Sequence, residues 1–115
     1  MTVVVSLALA TICFLGQCHP ALVGETTPQG EYRLSQRRVV SPGYGGDVLS
    51  FKENSTDLFA IHRLWTGAPA QRRAERLASP LAARRRGVTG GCINVSPEIY
   101  DQLVDCCSTS ELVIR

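Results

Sequence analysis

The sequence has little of what most often announces a function. Its 115 residues include one Trp, one Met and two His, and aromatics make up only 6%. Charge of neither sign dominates. Twelve Lys and Arg against ten Asp and Glu leave a net charge of +2, which gives no reason to expect a nucleic-acid or membrane-surface partner. No run of about 20 apolar residues is present, so no spanning helix is expected. The longest apolar stretch, Val3 to Gly16, runs into Gln17, His19 and Pro20. At 44% hydrophobic and 19% charged, the chain has the balance of one folded domain with a modest core. Against this plain background stand five cysteines, an odd number that leaves at least one thiol unpaired in the monomer.

No Asp, Glu, Lys or Arg occurs before Glu25, which raises a targeting segment as a reading of the first 24 residues. A signal peptide opens on positive side chains, and Met1-Thr2-Val3 has none. Gln17 stands where a lipoprotein cleavage site ahead of Cys18 wants a small residue. The β-branched run Val3-Val4-Val5 favours a strand, so residues 1–24 read as the first strands of the domain in preference to a targeting segment. Downstream, Thr27-Pro28-Gln29-Gly30 is a turn and Tyr32 and Leu34 alternate as in a half-buried strand. Ser41 to Gly46 is a loop. Val48–Phe51 and Leu58–Ile61 are two strands joined by the polar segment Lys52–Asp57. Asn54-Ser55-Thr56 matches a glycosylation acceptor, a three-residue pattern of low specificity.

Two helices are expected. Pro69 opens a short one through Leu77, with Arg72, Arg73, Glu75 and Arg76 on its wet side. The second has Ser96 as N-cap, Pro97 in the first turn, Glu98 at the positive end of the dipole and Val95 stapled onto Tyr100. Ile99, Leu103 and Cys106 or Cys107 then line its buried face. Leu112–Ile114 forms a last strand, so the chain reads as strand-rich with two short helices.

Chemistry concentrates in Thr89-Gly90-Gly91-Cys92-Ile93-Asn94. Two glycines before a cysteine allow a tight turn and leave backbone N–H groups unshielded beside the sulfur, an arrangement suited to binding an oxyanion in acyl transfer. A thiol also needs a base. His62, at the end of an apolar strand, is rigidly placed for that role, and His19 beside Cys18 is the other histidine. The plain alternatives are a turn before a small buried residue and a hydrogen-bonded surface histidine. Cys18, His19, Cys106 and Cys107 offer four soft ligands, but adjacent pairs lack the spacing of a zinc site.

Residues from His62 to Pro97, with Ile61-His62-Arg63, Arg72 to Pro80 and Thr89-Gly90-Gly91-Cys92-Ile93-Asn94-Val95, resemble the catalytic domain of the L,D-transpeptidases (YkuD type). That family's signature is a histidine followed at a distance by Ser/Thr-His-Gly-Cys-hydrophobic-Asn/Arg. Gly24 to Tyr32 is similar to its glycine, Thr-Pro-x-Gly and aromatic strand. The resemblance implies a mainly β sandwich with two short helices and an Arg-rich lid loop. It makes Cys92 the nucleophile, His62 the general base, and the backbone of Gly90, Gly91 and Cys92 the oxyanion site. The substrates it implies are peptidoglycan stem peptides, cut through a thioester that an amine or water resolves, with no cofactor, metal or nucleic acid. A periplasmic, cell-envelope or secreted location follows. An L,D-carboxypeptidase, a secreted peptidoglycan-targeting toxin and an inactive peptidoglycan-binding module are the alternatives.

Two positions depart from the pattern: Gly90 replaces a family histidine, and Arg63 follows His62 where a small residue is common. Arg63, with Asn94, Arg85, Arg86 and Trp65, is expected to contact substrate. Arg72, Arg73, Arg76, Arg84, Arg85 and Arg86 place six cations between base and nucleophile. Guanidinium groups there suit stem-peptide carboxylates, with a solvated lid face as the alternative. Trp65 is expected at the lid's root. With Cys92 free, Cys13, Cys18, Cys106 and Cys107 can pair. Sequence neighbours seldom bridge, so bridges are expected from the N-terminal strands to the C-terminal helix, the alternative being that some are small buried hydrophobes.

Overall fold

The computed structural model describes residues 1–40 and 44–115. The expected loop at Ser41 to Gly46 therefore lies partly outside the described residues. Nine strands and three short α-helices follow in order: β1 Thr2–Ser6, β2 Thr11–Phe14, β3 Gln17–Pro20, β4 Gly30–Arg33, β5 Ser35–Arg38, β6 Asp47–Glu53, β7 Leu58–Arg63, α1 Arg73–Ala78, α2 Ala82–Arg85, β8 Ile93–Val95, α3 Pro97–Cys107 and β9 Glu111–Ile114. One sheet has the order β3-β2-β1-β9-β4 and the other β5-β6-β7-β8. The fold is mainly β, as expected.

Alternation builds the core. Val3 and Val5 on β1, Ile12 and Phe14 on β2, and Leu112 and Ile114 on β9 turn the same way and are buried, because side chains two apart share a strand face. They meet Leu49, Ile61, Ile93 and Val95 of the second sheet and Tyr100, Leu103 and Cys107 of α3 in one cluster. The apolar N-terminal run thus supplies two strands, β1 and β2, and a large share of the core. Ser96 caps α3 by accepting from the Ile99 N–H at 3.2 Å, the role its position predicts.

The helix expected from Pro69 to Leu77 is interrupted. A 3-10 turn over Pro69–Gln71 gives way to α1 at Arg72, which takes the left-handed conformation φ 51°, ψ 44°. A further turn of helix, α2, lies beyond it. The β2–β3 hairpin was also not expected: Leu15 and Gly16 form its two-residue loop, both with positive φ. This turn type fits the strand twist but is usually announced by Asn-Gly.

Strands β7 and β8 run parallel, with Ile61 opposite Ile93, His62 opposite Asn94 and Arg63 opposite Val95. Residues 64–92 make the crossover between them. On its other side, the Asn94 backbone pairs with Leu22 through N–H···O bonds of 2.9 and 3.0 Å. The buried Arg85 guanidinium fastens the crossover to the rest of the fold. It donates to the carbonyls of Leu9 at 3.0 Å, Ala10 at 3.1 Å and Ser79.

The cysteine pairing differs from expectation. Cys13 bonds Cys18, directly opposite it in the β2–β3 hairpin, and Cys106 bonds its neighbour Cys107 at the end of α3. The hairpin register brings the first pair together, a contact invisible without the Leu15-Gly16 turn. Both pairs are local, and Cys92 alone is free. Alkylation of the denatured, unreduced protein is expected to add one label, on Cys92, and five after reduction. Mass spectrometry gives the count, and three or more labels before reduction would contradict the pairing.

Candidate active site

The β7–β8 register brings His62 and Cys92 into one cleft of about 370 Å³, which Tyr44, Trp65, Gln71, Arg73, Thr89 and Gly90 complete. Cys92 and Asn94 flank Ile93, so they share the face of the β8 segment that Ile93 does not use. His62 is buried, with 3% of its surface exposed. Its Nδ1 lies 2.7 Å from the Arg63 carbonyl, and its Nε2 lies 3.4 Å from the Asn94 side-chain nitrogen. Asn94 Oδ1 accepts from the Trp65 N–H and from Arg73 Nη1, each at 3.1 Å. The Asn94 amide is thereby oriented with its NH2 toward the ring. A carbonyl at Nδ1 and a donor at Nε2 both assign the proton to Nδ1 and leave the lone pair on Nε2.

Burial pushes the His62 ring from an ordinary 6.5 down to about 4; the Arg63 carbonyl opposes this and the Arg73 charge adds to it. Burial also pushes the Cys92 thiol up, against the pull of the Ala60 N–H and the Arg73 charge. The thiol donates to the Leu58 carbonyl at 3.6 Å. The resting site therefore holds a neutral thiol and a neutral imidazole, not a thiolate–imidazolium pair.

The glycine turn behaves partly as expected. Gly91 takes φ +126°, and a Cβ there would lie 2.5 Å from Cε1 of Phe59, so glycine is required. A Cβ at Gly90 would meet nothing within 4 Å. The Gly91 N–H, expected to be open for an oxyanion, donates to Thr89 Oγ1 at 3.2 Å, and that hydroxyl donates to the Cys92 carbonyl at 2.6 Å. An oxyanion must displace the hydroxyl from the N–H.

Of the five residues expected to contact substrate, Trp65 lines the cleft, and Asn94 is wholly buried beneath it as the link between His62, Trp65 and Arg73. The structure turns the other three away. Strand alternation carries Arg63 to the opposite face, where its guanidinium donates to Asp47 Oδ1 at 2.9 Å and stacks 4.2 Å from the Tyr100 ring. Arg85 is spent on the three carbonyls described above, and Arg86 donates to the Ala8 carbonyl at 3.3 Å. Cys13, Cys18, Cys106 and Cys107, paired as disulfides, have no thiolate to offer a metal. Tyr44 and Gln71 are cleft residues that sequence reasoning did not single out, and Thr89 and Arg73 entered it only as members of the Gly-Gly-Cys motif and of the arginine cluster. Arg73 was one of six similar arginines, and no local pattern distinguished it.

No protein-family model matches the chain, and a search of curated proteins returned no relative. Solved structures do match. An L,D-transpeptidase from Xylanimonas cellulosilytica superposes with TM-score 0.63 at 16% identity, over 99% of this chain and 59% of that one. One from Mycobacterium smegmatis gives TM-score 0.62 at 19% identity, over 99% and 58%. LdtMt1, solved in complex with imipenem, gives TM-score 0.61 at 16% identity, over 99% and 58%. The chain thus spans less than two thirds of each of these structures. Its fold is that of the L,D-transpeptidase catalytic domain. Among the described residues, no helix is long and apolar enough to cross a membrane.

The buried neutral histidine makes folding pH-dependent. Unfolded, the ring gains a proton as pH falls through 6.5; folded, it resists until about 4. Stability attributable to this group is full above 6.5 and falls by up to about 3 kcal/mol as pH drops to 4. Urea unfolding between pH 7 and 4.5 is expected to show a steeper loss for the wild type than for His62→Gln; equal slopes would mean the ring is not buried. The raised thiol predicts a second profile. Alkylation of Cys92 by iodoacetamide should keep accelerating past pH 9, whereas a plateau below pH 7 would signify a resting thiolate.

Proposed function

We propose that this domain is a cysteine acyltransferase of the L,D-transpeptidase type, acting on peptidoglycan stem peptides. The observation that carries the reading is the convergence of Cys92 and His62 in one cleft, with the imidazole proton held on Nδ1 and the Nε2 lone pair, met at rest only by the Asn94 amide at 3.4 Å, as the basic atom. The thiol leaves the Leu58 carbonyl and gives its proton to His62 Nε2 as the sulfur attacks the amide carbon. The departing amine takes that proton from His62, leaving a thioester on Cys92. A second amine, or water, then attacks the thioester and gives its proton to His62, which passes it to the departing sulfur and restores the thiol. An amine acceptor makes a crosslink; water trims the stem. Two disulfides suit an oxidising cell-envelope location.

A silent peptidoglycan-binding module is the second reading, favoured by the Thr89 hydroxyl that occupies the Gly91 N–H. Imipenem is bound by a protein of this fold, and a carbapenem separates the two readings. Its lactam carbonyl is expected to acylate Cys92, adding the full mass of the drug. Cys92→Ala should abolish the adduct, and His62→Ala should slow it by about a hundredfold or more. No adduct, with stem-peptide binding retained, would establish the binding module. On a disaccharide tetrapeptide, a dimeric product indicates crosslinking, and tripeptide alone indicates a carboxypeptidase.

A further inference from the structure

Most of the crossover arginines are occupied elsewhere. Arg85 and Arg86 hold backbone carbonyls, Arg76 donates to the carbonyls of Arg84 and Arg86 at 2.6 and 3.1 Å, and Arg72 pairs with Glu75 at 3.5 Å. Arg73 differs. Its guanidinium is half-buried in the cleft that holds Cys92, its Nε donates to Gln71 Oε1 at 2.7 Å and its Nη1 to Asn94 Oδ1 at 3.1 Å. Its guanidinium carbon lies 4.9 Å from the centre of the Trp65 ring. Every one of these partners is neutral, and among the described residues no carboxylate pairs with it.

A guanidinium held by two amides and an aromatic face is fixed in direction while its charge remains uncompensated. The backbone supports this placement: Arg72, left-handed at φ 51°, breaks the chain direction so that α1 begins with Arg73. A non-glycine residue in that conformation carries a cost that the surrounding structure must hold in place. Arg73 also lowers the proton affinity of both His62 and Cys92, which puts its charge within electrostatic reach of the reacting sulfur.

We propose that Arg73 is the substrate-binding residue that selects acyl donors ending in a free carboxylate, by pairing with the carboxylate of the residue that leaves. This rests on the acyl-transfer reading for its substrate. In a linear stem the scissile carbonyl and the terminal carboxylate are separated by one residue, so an anion site in the same cleft as the nucleophile reads the last residue of the chain. Donors whose terminal carboxylate is amidated lose the charge that the guanidinium recognises.

Alkylation of Cys92 tests the anion site without requiring turnover. Iodoacetate and iodoacetamide are alike in size and each alkylates the sulfur through its CH2 carbon with loss of iodide, but only iodoacetate is anionic. The ratio of their rates is insensitive to the thiol's own proton affinity, which slows both equally. Arg73→Gln is expected to lower the iodoacetate-to-iodoacetamide ratio by about tenfold, Arg73→Lys to retain part of it, and Arg84→Gln, an exposed α2 control, to leave it unchanged. In the wild type, N-acetyl-D-alanine should protect Cys92 from iodoacetamide and its amide should not, a measurement that needs no variant. Equal ratios in wild type and Arg73→Gln, or equal protection by acid and amide, would overturn the proposal. With tetrapeptide donors, kcat/KM should fall about tenfold when the terminal carboxylate is amidated, and Arg73→Gln should abolish that discrimination. Undiminished discrimination in Arg73→Gln would also overturn it. An Arg73-dependent alkylation ratio with no turnover of either donor would uphold the anion site while overturning acyl transfer.

Discussion

Parallel strands that pair within one sheet require a crossover, and between β7 and β8 that crossover is residues 64–92. The same segment brings Trp65, Gln71 and Arg73 over the cleft. The register His62 opposite Asn94 is held from both sides, because Leu22 pairs with the other edge of Asn94. A slip of one residue would turn Ile93 and Val95 out of the core and put Asn94 into it. The burial of those two apolar side chains therefore fixes where the cysteine and the histidine meet. The apolar pair Ile93 and Val95 and the polar pair Cys92 and Asn94 are two faces of the same four-residue segment.

Behind His62, on the opposite side of the sheet, lies a polar network that includes Arg63, a residue expected from the sequence to contact substrate. Burial alone would raise the Asp47 carboxyl, but hydrogen bonds from Gln36, Arg63 and Tyr100 outweigh it and hold the carboxylate below its ordinary range. The same pairing, together with burial, pushes the Tyr100 hydroxyl well up. Arg63 is anchored there, and its backbone carbonyl is the group that fixes the His62 proton. The residue that replaces a small one after the base thus acts through its main chain on one face and its side chain on the other.

Features governed by short-range rules were legible in the sequence. The Ser96 cap, the apolar face of α3, the strand tendency of Val3-Val4-Val5 and of Leu112–Ile114, and the Gly-Gly-Cys turn each follow from a few adjacent residues. Features that depend on distant partners were not. β5, Ser-Gln-Arg-Arg, has four exposed side chains and no apolar alternation; it pairs with β6 through its backbone and through Gln36–Asp47 and Arg37–Glu53 contacts that no local pattern announces. β8 is only three residues long, too short to show a period. The Leu15-Gly16 hairpin, and with it the Cys13–Cys18 bridge, lacks the Asn that marks such turns. Of the six crossover arginines, the one that enters the cleft is Arg73, which neither composition nor spacing sets apart from the others.

The hairpin disulfide has one more consequence. β3 is an outer strand of the larger sheet, with one row of backbone groups unpaired, and such a rim is a template on which a second chain can add a strand. Cys13–Cys18 locks that rim to β2, and Pro20 at its end removes a donor from the row. β5, the rim of the smaller sheet, carries two arginines instead. A reducing environment would unfasten the first of these guards while leaving the second, so loss of the bridge would show itself as self-association through the larger sheet before any failure of the cleft.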